Sequence, residues 1–412
     1  MNDEYRFRTA QSPDDAEKLK NHFDGIFLPE KVGEVAVALY HHRPGMGPEN
    51  WFIIEEATTG AIASACTLIP WVWEFEGVRL DVAEMGLVGT AAPHRGRGLM
   101  NELARRFAEE MNRRGCDLGG IEGIPGFYAR YGYHYAVPLE NHINLPLHTC
   151  SGMEAGAYAL RTATRDDIPF LMAQDDEYRR AYSLSSVRDA ASWDYIFGPS
   201  VDTECARDIR IIERDGAPLF SFAMMAYGFG AGLIVCEVSE GITCEALCAM
   251  LRFLGEEAAR RGKPYVRFNL HVDSSPARML IALGAAVNPG WAWQVRVPHP
   301  ERFLAKIAPA LDRRLAGSPF RESTMAFGVN LYCARYRLAL ANGRIKSVER
   351  DAGECAHAIN VSADLFPALA LGAHGWRELN RVRPEVCASS DMAGLLADAL
   401  FPPRRSWMRL AY

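Results

Sequence analysis

No stretch of the 412-residue sequence approaches the roughly 18 consecutive apolar residues that a membrane-spanning helix needs. Membrane partners are therefore not expected. There is no CxxC pair and no His-rich neighbour to any of the ten cysteines, so neither a zinc site nor a redox motif is expected. The start, Met1-Asn2-Asp3-Glu4, is acidic and lacks the basic, apolar pattern of a signal peptide. Reduced thiols and a cytoplasmic location follow as expectations. Positive charge is not in excess either: 45 Lys+Arg stand against 51 Asp+Glu, a net charge of −6. Nucleic acid is not the expected partner, because phosphate binding needs a basic surface. GxxxxGK[ST] and GxGxxG are both absent, which sets aside Walker and Rossmann nucleotide sites. What is present, 49% apolar and 23% charged residues, suits a folded chain of two to four domains.

The first 300 residues contain two echoes. Tyr5-Arg-Phe-Arg-Thr-Ala10 precedes Ser12-Pro-Asp-Asp15, and Tyr158-Ala-Leu-Arg-Thr-Ala163 precedes Thr164-Arg-Asp-Asp167. Both pairs place a capping oxygen and two acids where a helix begins. Leu99–Arg114 then reads as an amphipathic helix with Leu99, Leu103, Phe107 and Met111 on one face. Glu245–Arg261 reads alike, with Leu247, Leu251, Leu254 and Ala258 inward, and the two end in Glu109-Glu-Met-Asn-Arg-Arg-Gly115 and Glu256-Glu-Ala-Ala-Arg-Arg-Gly262. Cys244 and Cys248, four apart, read as small apolar residues on its buried face. Two copies of one α/β unit are expected, over residues 1–150 and 151–315. Residues 316–412, after the linker Ala316-Gly-Ser-Pro319, read as a separate α+β domain. Its signals are a hairpin of Val329–Leu340 and Arg344–Glu349 around Asn342-Gly343, a strand at Ala356–Val361, and helices at Ser362–Leu371 and Asp391–Leu400.

The stretch from Asp81 to Met100 reads as a strand, a turn rich in Gly and Arg, and the start of the Leu99 helix. Glycines let a backbone approach an anion closely, successive N–H groups face it, and the helix dipole stands behind them. Arg95 and Arg97 add full charges. Downstream, Gly123-Ile-Pro-Gly-Phe-Tyr-Ala-Arg-Tyr-Gly-Tyr133 clusters aromatics, among which Tyr128 taken alone reads as a packing residue. The second copy keeps neither feature: Val235–Glu245 has no Arg and three acids, and the place of Tyr128 holds Leu280.

Arg95-Gly-Arg-Gly98-Leu-Met100 resembles the pyrophosphate loop of GCN5-related N-acetyltransferases, Met100 being larger than usual at its position, and the Tyr128 segment resembles a second signature of that fold. An active unit, a degenerate unit and a small α+β domain together resemble the enhanced intracellular survival (Eis) family, over essentially the whole chain. The resemblance implies mixed α/β sheets in tandem acetyltransferase folds, followed by a sterol-carrier-protein-like domain. It implies acetyl-CoA as donor, contacting Val88, Gly89 and Thr90 on the strand and Arg95, Gly96, Arg97, Gly98, Leu99, Met100 and Asn101 on the loop and helix. It implies Tyr128 as the acid that protonates the leaving thiolate and the carboxylate of Tyr412 as the base, in direct transfer. Cys66 and Cys116 have no evident His/Asp partner for a covalent relay. Glu84 reads as an auxiliary base or, more simply, as a solvated strand-end carboxylate. Asp24, Glu30 and Glu34, with Trp51, Trp71 and Trp73, are candidates for the acceptor cleft or for ordinary surface and core. Charge near the tail, from Arg404, Arg405 and Arg409, runs against a cationic acceptor. The implied acceptor is an amine of an aminoglycoside, a polyamine-like molecule or a lysine, and the implied assembly is a homo-oligomer, a hexamer. The alternatives are protein-lysine acetylation alone, or a binding protein that carries an apolar ligand in its C-terminal domain and is regulated by acetyl-CoA.

Overall fold

A computed structural model describes residues 3–351 and 353–412. The first unit runs β1 (Tyr5–Thr9), α1 (Asp14–Phe27), α2 (Val32–His42), β2 (Trp51–Glu56), β3 (Ile62–Phe75), β4 (Val78–Thr90), α3 (Leu99–Arg114), β5 (Leu118–Ile121), β6 (His134–Pro146) and α4 (Leu147–Ser151). The second repeats it with additions: β7 (Tyr158–Thr162), α5 (Ile168–Ala181), β8 (Leu184–Ser186), α6 (Ala190–Ile196), β9 (Arg207–Arg214), β10 (Ala217–Met225), β11 (Leu233–Val238), α7 (Cys244–Arg260), β12 (Tyr265–Asn269), α8 (Ser275–Ala282) and β13 (Ala286–Arg296). The remainder is α9 (Pro300–Ala316), β14 (Met325–Asn330), β15 (Arg335–Ala341), β16 (Arg344–Arg350), β17 (Ala358–Asn360), α10 (Phe366–Ala370), α11 (Trp376–Val382), β18 (Cys387–Ala388), α12 (Asp391–Leu400) and β19 (Ser406–Trp407). No helix among the described residues is long and apolar enough to cross a membrane.

The α3 boundaries are those its sequence pattern predicts. Leu99, Leu103, Phe107 and Met111 are buried on one face, each contributing about 1.5–3 kcal/mol. Gly115, at φ 70°, ends the helix in the left-handed conformation that glycine alone adopts freely. The second copy starts one residue earlier than expected, at Cys244, because the Thr243 hydroxyl accepts the Ala246 N–H as its cap. Cys244 is exposed and Cys248 half-buried, so this pair does not face the core. The C-terminal hairpin also differs from its sequence reading. Val329–Leu340 is two strands, broken where the Asn330 side chain accepts the Tyr332 N–H and Tyr332 takes φ 65°. The Asn342-Gly343 turn forms at positive φ, whereas only Phe366–Ala370 of the predicted Ser362–Leu371 helix is α-helical.

The two units share one sheet, ordered β1-β2-β3-β4-β5-β13-β6-β12-β11-β10-β9-β7, and they exchange their last strands. β13, from the second unit, lies antiparallel to β5 of the first, with Val295 opposite Gly120. β6, from the first, lies antiparallel to β12 of the second, with Ile143 opposite Phe268. Trp293 on β13 packs edge-on against both Trp71 and Trp73 of β3, at 5.8 Å from each. Each unit's sheet is thus completed by the other.

A second sheet, β16-β15-β14-β17-β18, forms the C-terminal part. Helix α9, which the sequence reading assigns to the second unit, packs on β16 of this sheet and on β4. Arg314 of α9 bridges the Glu76 carboxylate (2.7 Å) and the Leu400 carbonyl (2.6 Å). Beyond α12 the chain turns back, and β19 pairs in parallel with β8, which is itself antiparallel to β3. The last residues are thereby led between the two units.

Candidate active site

β4 and β5 run parallel, paired only over Val82–Glu84 and Leu118–Gly120. Beyond Glu84 they part. There β4 also bulges: Gly86 faces Thr67 and Gly89 faces Ala65, leaving Leu87 (φ 47°) and Val88 opposite Cys66 alone. A bulge turns backbone groups away from the ladder, which suits a strand that must present amides to a ligand. Gly89 packs under α1, where a β-carbon would lie 2.7 Å from Ile26. The Thr90 carbonyl accepts from Arg95 Nε at 3.1 Å.

Gly96 and Gly98 follow at φ 76° and 77°, and Gly98 stands at the start of α3. The exposed end of α3, with Gly98, Asn101 and Arg97, borders a hollow of about 610 Å³. Arg97 is paired with Glu4 at 3.2 Å, and the Asn101 amide oxygen accepts the Tyr131 hydroxyl at 2.7 Å. Leu99 is buried in the core and Met100 lies partly buried against it. Residues 95–101 thus form a left-handed turn leading into a long helix, the geometry that binds phosphate.

Tyr128 begins a one-turn 3₁₀ helix closed by Gly132 at φ 82°. Its ring is buried in one cluster with Cys66, Met85 and Leu99, edge-on to Phe127 at 5.0 Å. Gly123 admits the ring, since a β-carbon there would overlap it. Burial pushes the phenol well above its ordinary pKa, so it is a proton donor at neutral pH. Burial likewise pushes up the Cys66 thiol, and that of Cys116 to about 11, so neither supplies a thiolate.

A cavity of about 620 Å³ opens beside this loop. Its walls come from Gly123–Pro125 and β6 of the first unit, from β9–β13 of the second, and from Trp407–Leu410 of the tail. Four carboxyl groups line it, Glu122, Glu140, Glu204 and Glu237, together with Arg207, Arg267 and Arg409. Glu122 is exposed to the cavity, and the surrounding protein together with Glu84 and Glu140 pushes its pKa far above the ordinary value. Glu237 is held down to about 2 despite its burial by Arg188, Arg409 and Arg207.

Tyr412 ends in this region. Its ring meets Trp71 edge-on at 5.6 Å, and its hydroxyl donates to Glu84 at 2.9 Å. Its main-chain oxygen accepts from Arg207 at 2.7 Å, and Arg207 also holds the Leu410 carbonyl at 2.9 Å. Glu84 is therefore no solvated strand end: it sits within β4, 4% exposed, and also accepts from Trp71 Nε1 at 2.6 Å. Desolvation pushes it up to about 7, against the two hydrogen bonds and the Arg43 charge, which pull it down.

Other expectations are corrected. Trp51 and Trp73 are core, leaving Trp71 as the tryptophan of the three that touches the site. Asp24 pairs with Lys20 and accepts the Gly33 N–H, and Glu34 also faces Lys20. The cavity acids come instead from segments that only the exchanged strands and the tail bring together. Arg405 and Arg409 do not burden it as free charges, being paired with Glu240 and Asp175. In the second unit, Leu280 is buried on α8.

Residues 6–136 match the acetyltransferase (GNAT) domain family. No curated protein matches the chain. Among solved structures, a GCN5-related N-acetyltransferase from Anabaena variabilis superposes with a TM-score of 0.69 at 16% identity, covering 98% of this chain and 99% of its own. A probable N-acyltransferase from Enterococcus faecalis gives 0.73 at 14% identity, covering 99% of both. Eis1 from Mycobacterium abscessus gives 0.59 at 17% identity, covering 96% of this chain and 97% of its own. At such identities these likenesses establish the fold along the chain, while the domain match assigns the chemistry of the first unit. Residues 6–136 are thus an acetyltransferase (GNAT) domain, and it is this domain that makes the chain an acetyl-CoA-dependent acyltransferase.

Proposed function

We propose that the protein is an Eis-like N-acetyltransferase that moves the acetyl group of acetyl-CoA directly to an amine of an aminoglycoside, a polyamine-like molecule or a lysine side chain. The observation that carries this reading is the seat of Tyr412, on Glu84 and Trp71 of the first unit, beside a cavity lined by four carboxyl groups. The pyrophosphate lies on residues Arg95–Asn101, and the thioester lies along Val88–Thr90, whose backbone orients it and meets the developing oxyanion. The acceptor enters the large cavity as an ammonium, to which the cavity carboxyl groups offer hydrogen-bond acceptors. It gives a proton to the Tyr412 carboxylate and attacks the thioester carbon. A C–N bond forms, the C–S bond breaks, Tyr128 delivers its phenolic proton to the departing CoA thiolate, and the second proton leaving the new amide nitrogen returns through solvent to the Tyr128 oxygen. Such acid catalysis contributes roughly 10²–10⁴-fold. Cys66 and Cys116 remain thiols throughout, which fits transfer without an acyl-enzyme. The C-terminal part takes the sterol-carrier-like role of a platform for the tail, and the hexamer that belongs to this reading is checked by light scattering.

The test is CoA release from acetyl-CoA with an aminoglycoside, spermidine and a lysine peptide as parallel acceptors. Turnover with at least one is expected, and Tyr128→Phe should lower kcat by roughly 10²-fold or more while acetyl-CoA affinity stays within about two-fold. Full kcat in that variant removes Tyr128 from the role of acid.

A further inference from the structure

The second unit has lost its anion loop but has kept the parting of strands that houses the donor in an acetyltransferase domain. β11 and β12 pair in parallel only over Leu233–Val235 and Val266–Phe268, then separate, as β4 and β5 do beyond Glu84. Aligning the two pairs of strands sets Val238 where the first unit has Leu87, next to Val88. In the second unit this gap is occupied by the chain's own tail. Arg409 donates to the Val238 carbonyl at 2.9 Å and to Asp175 at 3.0 Å, and its guanidinium lies 3.7 Å over the Tyr178 ring. Trp407 stands edge-on to His271 across the gap, at 6.0 Å.

Arg409 is 7% exposed and Asp175 4%, and both belong to one buried charge cluster. Arg188 joins Asp175 to Glu237 through two hydrogen bonds to each carboxylate. Arg207 leans on the same Glu237 at 3.2 Å while holding Leu410 and Tyr412 by their main-chain oxygens. The cluster thus runs without interruption from the vestigial groove to the residue that reaches the first unit's site. A buried ion cluster of this kind is seldom kept for stability, since apolar residues of equal volume do as well; fixing one arrangement is its best-attested use.

We infer that the second unit's former donor groove is a receptor for the tail, and that Arg409 is a positioning residue which sets Tyr412 in the first unit's active site. The inference rests on the proposed role of Tyr412 and explains why a unit without its own phosphate cradle stays in the chain. Removing the Arg409 charge frees the tail from Asp175 and Val238 while leaving the acetyl-CoA cradle untouched.

The test pairs a docking readout with a kinetic one on the full-length protein. In Arg409→Met, carboxypeptidase should release Tyr412 at least about ten-fold faster than from the unaltered chain, because cleavage tracks the undocked population. At the same time kcat should fall about ten-fold or more, with KM for acetyl-CoA unchanged. Arg409→Lys keeps the charge but not the fork that grips two partners, and should lie between the two in both readouts; it also serves if the methionine variant does not fold. Unchanged release of Tyr412 overturns the inference. Faster release with unchanged kcat leaves the docking groove standing and overturns the positioning role, along with the reading of Tyr412 as base.

Discussion

Glu84 is buried, hydrogen-bonded at both carboxylate oxygens, and pushed up to about 7 from an ordinary 4.5. A raised pKa means that the folded protein binds the Glu84 proton more tightly than the unfolded chain does. Stability from this group is therefore fully present below about pH 4.5 and is lost as pH rises through 7. The shift corresponds to roughly 3 kcal/mol. Gln at this position still accepts from Trp71 but does not titrate, so Glu84→Gln should raise the melting temperature at pH 8 relative to the unaltered protein and leave it nearly equal at pH 5. Equal pH slopes for the two proteins would contradict the burial argument. None of this is legible in the sequence. Trp71 and Tyr412, the partners that bury Glu84, lie 13 and 328 residues away, and without them a glutamate beside Ala83 and Met85 reads most simply as a solvated strand-end carboxylate. Tyr128 is different: its aromatic, Gly-spaced surroundings are contiguous, so the family resemblance that proposes it as the acid can be recognised in the sequence.

At the scale of elements, contiguous features are the legible ones. The αL glycines, Arg95, Arg97 and the amphipathic face of α3 all fall within about 20 residues, and periodicity and turn chemistry locate them to the residue. Helix α7 and the Asn342-Gly343 turn were legible for the same reason. Val329–Leu340 reads as one strand because its apolar content is continuous, while the Asn330 side-chain turn that breaks it has only a weak signature. The segment after β5 carries a sharper consequence. Gly123 is there for the Tyr128 ring, whose atoms fill the place of its missing β-carbon. Gly123→Ala should displace the phenol and lower kcat without weakening acetyl-CoA binding. Combined with Tyr128→Phe it should add little, since residues that act through one group are not additive. Full additivity in the double variant would show that Gly123 matters for another reason.

For the molecule as a whole, the sequence discloses a repeat and a distinct C-terminal region but not how they interlock. Strand exchange is invisible to periodicity: β6 and β13 look alike whether each completes its own sheet or the other's. The cavity depends on that exchange, because Glu140 lies on β6, Glu204 and Glu237 belong to the second unit, and Trp407–Leu410 come from the tail. Asp24 and Glu34 read as cleft acids only while the first unit is taken alone, since both face Lys20. The account's central claim is that this tail completes the first unit's chemistry with the carboxylate of Tyr412. One glycine added after Tyr412 tests it most directly. The ring and hydroxyl keep their seat on Trp71 and Glu84, while the carboxylate moves on by about 3.5 Å and an amide takes its place. Measured as CoA release with the best acceptor, kcat should fall by about 10²-fold or more while acetyl-CoA affinity holds. An unchanged kcat in the extended protein, with Tyr412 still docked, would contradict the claim.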